Sequence, residues 1–218
     1  MTRLLFHVLS IAATITAALF SSIVVGQPTL YKTITVKGTV SFEVPSQWKL
    51  LSERELSTAA TQVASQAAAV GVQMNLALSQ RLVYAPISSR VAGNVVVALR
   101  SPNLLPFSRT DLPISAQQPL KPVVLQHFQT QSAVFERAIS VSGGRTISRL
   151  APHPVLLGSS LGVEYGSLYE QAQGATVTHQ IVAFAGGNVL TVTFSYFKSA
   201  EAEFAPIYEH LLRSLKPV

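Results

Sequence analysis

Two serine motifs are the first places to look for chemistry. Gly158-Ser159-Ser160-Leu161-Gly162 fits G-x-S-x-G, the pattern that raises a nucleophilic serine on a sharp turn between a strand and a helix. Glu164 or Glu170 as acid and His179 as base follow Ser160 in the chain order such hydrolases use. The elbow needs a helix after it, and Val163-Glu164-Tyr165 reads as a second strand instead. The motif is therefore expected to be a loop between strands. Ser195-Tyr196-Phe197-Lys198 fits S-x-x-K, but the companion S-D-N and K-T-G elements are absent and the serine falls at a strand end. It is read as coincidence.

Metal and cofactor chemistry finds less support. Beyond the N-terminal apolar run the histidines are His127, His153, His179 and His210, none in an H-x-x-x-H pair, and Asp111 is the one aspartate. With no cysteine there is no thiolate site, disulfide or lipid-attachment cysteine. No glycine-rich phosphate loop follows a strand. The expectation is no catalytic residue, no metal, no cofactor, and no assigned ligand-binding residue. His179 is expected to be a core histidine hydrogen-bonded to a neighbour.

The elements that position these residues are clearest at the C-terminal end. Val177–Ala185 and Val189–Phe197 are rich in Val, Ile, Thr and Phe, with Gly186-Gly187-Asn188 between them. Glycine supplies the positive φ of a two-residue hairpin turn, which sets Ala183 opposite Leu190, Ile181 opposite Val192 and His179 opposite Phe194. One face is then apolar (Val177, Ile181, Ala183, Leu190, Val192, Phe194). The other carries Thr178, Gln180, Thr191, Thr193 and Ser195, relieved by Val182, Phe184 and Val189. A helix follows with Phe204, Tyr208, Leu211 and Leu215 on one stripe. Pro206 is expected to stand at its first position, after a short turn from Ser199.

Upstream, Tyr31–Val44 alternates around Lys37-Gly38, and Trp48 is expected to pack on the C-terminal sheet or helix. Ser52 caps a long uncharged helix whose seam is Leu56, Ala60, Val63, Ala67, Val70, Met74 and Ala77. Its outer glutamines, Gln62, Gln66 and Gln73, offer a docking face or a plain packed surface. Leu82–Ala85 and Asn94–Leu99 read as strands, with Val95, Val96 and Val97 buried. Ser101–Pro119 holds four prolines and reads as a patternless loop exposing Leu104, Leu105, Phe107 and Ile114. A helix over Leu120–Glu136 turns Val124, Phe128 and Phe135 inward. Arg145–Leu150, Val155–Leu157 and Val163–Glu170 complete the strands.

Gly38-Thr-Val-Ser-Phe42-Glu-Val-Pro45-Ser-Gln-Trp48 resembles the opening of PsbP-like (Mog-type) domains. The hairpin from Gly162-Val-Glu-Tyr165 through Gly174 is similar to that family's antiparallel run. So is the ending Thr193-Phe194-Ser195-Tyr196 with a helix closing in Leu212-Arg213-Ser214-Leu215-Lys216. The resemblance covers Gly38–Lys216 and is weakest between Ser52 and Phe135. It implies an α+β fold, an antiparallel sheet flanked by helices on both sides in an α/β/α sandwich. It also implies a non-enzymatic accessory or partner-binding role, and it supplies no catalytic residue.

The N-terminal run Leu4–Val25 is uncharged, follows Arg3, and ends in small residues, Val24 and Gly26, before Gln27. Residues 1–26 are read as a secretory signal helix and 27–218 as the folded domain, in a periplasmic or extracellular setting. The run is also long enough to span a bilayer, so an uncleaved anchor and association with the membrane through residues 4–25 stand as the rival. The net charge is +6, or +5 once Arg3 is lost, and the basic residues form no stripe, which excludes nucleic acid as the expected partner. The sequence thus points to an exported binding protein of the bacterial envelope, whose partner is an envelope protein or an apolar small molecule. The alternatives are a serine hydrolase built on Ser160 and a membrane-anchored structural subunit.

Overall fold

The structure is a computed structural model and describes residues 29–36, 39–52, 54, 81–86, 93–141 and 143–217. The signal or anchor run and the glutamine-rich helix after Ser52 lie outside these residues. Among the described residues no helix is long and apolar enough to cross a membrane.

The strands are β1 (Tyr31–Val36), β2 (Val40–Pro45), β3 (Trp48–Leu50), β4 (Arg81–Pro86) and β5 (Gly93–Arg100), then β6 (Arg145–Leu157), β7 (Ser160–Gln171), β8 (Gly174–Ala185) and β9 (Asn188–Phe197), and finally β10 (Lys216–Pro217). Helix α1 (Pro122–Val141) precedes β6, and helix α2 (Glu201–Ser214) follows β9. β3-β4-β5-β9-β8-β7-β6 form a seven-stranded sheet and β1-β2-β10 a three-stranded one. Every pairing in both is antiparallel. This is the α+β sandwich expected, with a helix on each face of the main sheet.

The predicted register holds at the hairpin: Ala185 pairs with Asn188, Ala183 with Leu190, Ile181 with Val192 and His179 with Phe194. Gly186 and Gly187 form its two-residue turn at φ 51° and 76°, where a side chain would be strained. The apolar face joins β2, Trp48 and α2 in one continuous core. Phe204, Tyr208, Leu211 and Leu215 are buried there as the stripe requires, with Ile207 beside them. Trp48 stacks on Phe194 and tilts against Phe204. A Cβ at Gly93 would fall 2.0 Å from the Phe204 ring, so β5 needs glycine where the helix leans on it. On the opposite face α1 starts at Pro122 and buries Val124, Phe128, Phe135 and Ile139. They fall into two separate clusters, one around Phe107 and Phe128, the other around Phe135 and Tyr169.

Four expectations need correction. α2 does not begin at Pro206: a 3-10 turn over Lys198–Ala200 leads into a helix that starts at Glu201 and runs through the proline. Pro206 removes the bond to the Ala202 carbonyl, but both residues are exposed, so water satisfies that group, while buried Phe204 pins the first turn. Val96 is only half-buried, because alternation turns it to the other face from Val95 and Val97. Phe107 is buried, and the loop around it is built from 3-10 turns at Pro102–Leu104 and Arg109–Asp111. Arg145–Leu150 and Val155–Leu157 are one strand, interrupted by register shifts between Thr146 and Ser148 and between Leu150 and His153. The strand lies at the sheet edge, where Pro152 and Pro154 need no partner for their missing N–H.

Candidate functional site

Strands β6, β7 and β8 bring His153, Glu164 and His179 to the α2 face of the sheet, in adjacent rungs: His153 pairs with Glu164, and Glu164 with Ile181. His179 Nδ1 lies 2.7 Å from Glu164 Oε1, and His153 Nε2 lies 3.4 Å from Glu164 Oε2. Glu164 is 6% exposed, a carboxylate buried in a strand that would otherwise carry an apolar side chain. Helix α2 closes the group by laying Tyr208 over His179, with ring centroids 4.0 Å apart and planes at 23°.

The electrostatics follow from that packing. Burial pushes the Glu164 carboxyl up, but the His179 hydrogen bond, the nearby Tyr208 hydroxyl and the charges of His179 and His153 outweigh it, leaving the group below its ordinary range. Burial first, and then the Glu164 charge, push the Tyr208 phenol well up. The Tyr208 hydroxyl itself falls short of hydrogen-bond geometry, so His179 is the group that holds the carboxylate.

Chemically this is an acid–base pair without a nucleophile. Among the described residues no serine or threonine hydroxyl bonds to His179. Ser160 is the first residue of β7, paired with Leu157 across a turn made by Gly158 and Ser159. Gly158 has φ 57° there, so its glycine serves a hairpin and no helix follows the serine. His179 pairs with Gly166, six residues along β7 from Ser160, or about 20 Å at strand spacing. The G-x-S-x-G match is a β-turn. Ser195 is buried and lies 3.1 Å from Thr178 Oγ1, while Lys198 pairs with Glu201. The two ends of the S-x-x-K match are thus engaged in different contacts.

The other histidines serve packing. His210 Nε2 lies 2.6 Å from Glu43 Oε2 and its ring stacks on Tyr31 at 3.6 Å, tying α2 to β1 and β2. His127 meets Phe107 and Phe128 edge-on. Among the described residues no three His, Asp or Glu side chains are arranged to hold a metal ion. Sequence reasoning named His179 and Glu164 but missed Tyr208 as their cover and Glu43 as the partner of His210. An alternation that places glutamate on an otherwise apolar face was the available signal for Glu164. The 167-residue separation of Glu43 and His210 left none.

An antiparallel sheet with a helix on each face defines a PsbP-like sandwich at the level of fold. The solved structure of cyanobacterial PsbP (CyanoP) from Synechocystis sp. PCC 6803 superposes with a TM-score of 0.53 over 92% of this chain and 99% of that one, at 10% identity. The Saccharomyces cerevisiae Ran-binding protein Mog1p gives a TM-score of 0.43 at 11% identity, covering 88% of this chain and 97% of its own. LpqN, involved in cell envelope biogenesis of Mycobacterium tuberculosis, gives 0.39 at 12% identity, covering 88% and 86%. No protein-family model matches the chain, and no curated protein is similar to it in sequence.

Proposed function

We propose that this chain is a non-catalytic accessory protein of the bacterial cell envelope, exported by residues 1–26, that acts by binding an envelope protein or an apolar ligand. The observation that carries this reading is the fate of the reactive side chains. Ser160 stands in a hairpin about 20 Å from His179 by strand spacing, and His179 is spent on Glu164 beneath Tyr208. Ser195 bonds within the sheet, and His210 clamps a helix to a strand. A PsbP-like frame that uses its polar side chains to hold itself together suits a scaffold whose surface does the work.

The test is cross-linking capture with the tagged full chain in its own cells, quantified against an unrelated exported protein. The expected result is a reproducible envelope partner or a co-purifying apolar molecule, recovered equally by Ser160→Ala. Turnover of a substrate by the wild type, lost in Ser160→Ala, would instead favour the hydrolase.

A further inference from the structure

The register gathers one set of loops at a single end of the main sheet. Arg100 closes β5 opposite Val189, beside the Gly186–Gly187 turn, and the Gly158–Ser159 turn lies at the same end. Gly158 approaches the Leu215 carbonyl and the Lys216 side chain, and Gly186 approaches Thr39. The segment from Ser101 to Lys121 starts and finishes here, since α1 runs from Pro122 toward the far end, where Ile139 meets Tyr169.

That segment is rigidly built. Phe107 and Leu112 anchor it in the core beside Phe128. The Ser108 amide and hydroxyl both donate to Asp111 Oδ2 at 2.9 Å, and Lys121 Nζ donates to the Thr110 carbonyl and to Asp111 Oδ1. At its tip the Ile114 amide donates to Gln118 Oε1 at 3.0 Å, and the Ile114 side chain is left 86% exposed. Nothing apolar shields it: residues 116–119 are exposed. The charges around it are one-sided. Asp111, the acid of this loop, has its carboxyl held at about 2 first by the Ser108 bonds and then by Lys121, while Glu43 and Glu209, farther from the loop, lie beside His210 and Arg213. Lys121 neutralises Asp111. Arg100, Arg109 and Lys216 have no ion-pair partner among the described residues. The acidic groups Glu170, Glu201 and Glu203 sit at the far end, along with Leu30, where the chain enters β1.

We propose that this end of the protein docks on an anionic phospholipid surface, with Ile114 inserted at the headgroup boundary and Arg100, Arg109 and Lys216 facing the phosphates. Ile114 is the most exposed apolar side chain at this end, ahead of Leu156 at 57% and Val123 at 40%, and on its stiff loop amid positive charge it needs no complementary pocket. A protein interface instead centres on a broad, desolvated apolar patch, whereas Ile114 stands on a loop whose following residues, 116–119, are exposed. The proposal stands apart from the partner-binding reading above.

The absence of cysteine makes the test clean, because one introduced thiol is the only label site. Full-length Ile114→Cys and Glu203→Cys, each carrying an environment-sensitive nitrobenzoxadiazole dye, are titrated with vesicles of phosphatidylcholine alone or with a third phosphatidylglycerol. The expected result is a blue shift at position 114 with anionic vesicles only, reversed by salt because exposed charges are screened. Arg109→Gln in the same background should weaken the response roughly fivefold, and with Arg100→Gln roughly 30-fold, the effect of removing charges near an anionic surface. Three results overturn the proposal: no shift at 114, a shift at 203 in its place, which would mean insertion through the N-terminal run, or a response at 114 to a DNA oligonucleotide or an acidic protein but not to vesicles.

Discussion

The two faces of the seven-stranded sheet are packed on different principles. On the α2 face, Trp48, Phe194, Tyr196, Phe204 and Tyr208 belong to one core that reaches across to β1 and β2. Its one buried acid, Glu164, is compensated by His179 and His153. On the α1 face the apolar residues split into two islands. Two polar rungs lie across the same face: Ser167, Thr178, Ser195 and Asn94 in one, Gln180 and Thr193 in the next. Tyr165 donates to Gln180 Oε1 at 2.8 Å and Thr178 bonds Ser195, yet Ser167 Oγ, Thr193 Oγ1 and Asn94 Oδ1 are buried without a partner. Apolar burial contributes roughly 1.5–3 kcal/mol per large side chain, whereas an unpaired buried polar atom costs about 1–3 kcal/mol. The α2 face therefore carries most of the stability, and the α1 face is the less stable half.

The largest test of that division is a matched pair of truncations. Phe204→Ala should destabilise by an amount in the upper half of the about 3–5 kcal/mol range for buried Phe, and Phe128→Ala in the lower half. Urea titration of both decides it, and an equal or reversed order breaks the comparison. His179→Ala should follow at about 1.5–3 kcal/mol, since it strips a charged acceptor of its main partner while His153 remains nearby.

Acid should act on the same face. The folded Glu164 pKa is depressed, so its contribution is fully present above the unfolded value and is lost as pH falls through the folded one. The urea midpoint should begin to drop as pH falls below the ordinary carboxyl value of 4.5, and Glu164→Gln should flatten that part of the profile. The smallest effect has the opposite sign. Thr193→Val deletes an unpaired buried hydroxyl at nearly constant shape, and thermal melting should show a gain of about 0.5–1 kcal/mol. A clear loss would mean that the hydroxyl is bonded after all.

Much of the α2 face was legible in the sequence because local rules decide it. Gly186-Gly187 fixes the hairpin, the hairpin fixes the register, and the 4-3-4 stripe from Phe204 to Leu215 fixes which side of the helix meets it. Pro206 was misplaced because the rule against proline inside helices ignores whether the orphaned carbonyl, here that of Ala202, faces water. The α1 face was harder to read. Phe107 comes from a segment with no periodicity, and only its distant partners Phe128, Phe184 and Tyr165 give it a core position. The candidate site was half legible. Glu164 and His179 stand out by residue type, but the distance of His179 from Ser160 depends on the register between β7 and β8, and Tyr208 reaches them only after α2 has docked.

The proposed function requires that Ser160 and His179 do not act together on a substrate. The direct measurement is labelling of the native full-length protein with a fluorophosphonate, followed by peptide mass mapping of Ser160. No adduct above the Ser160→Ala background is expected, because His179 stands about 20 Å from the hairpin serine at strand spacing. A stoichiometric adduct on Ser160 that disappears in His179→Ala would contradict it.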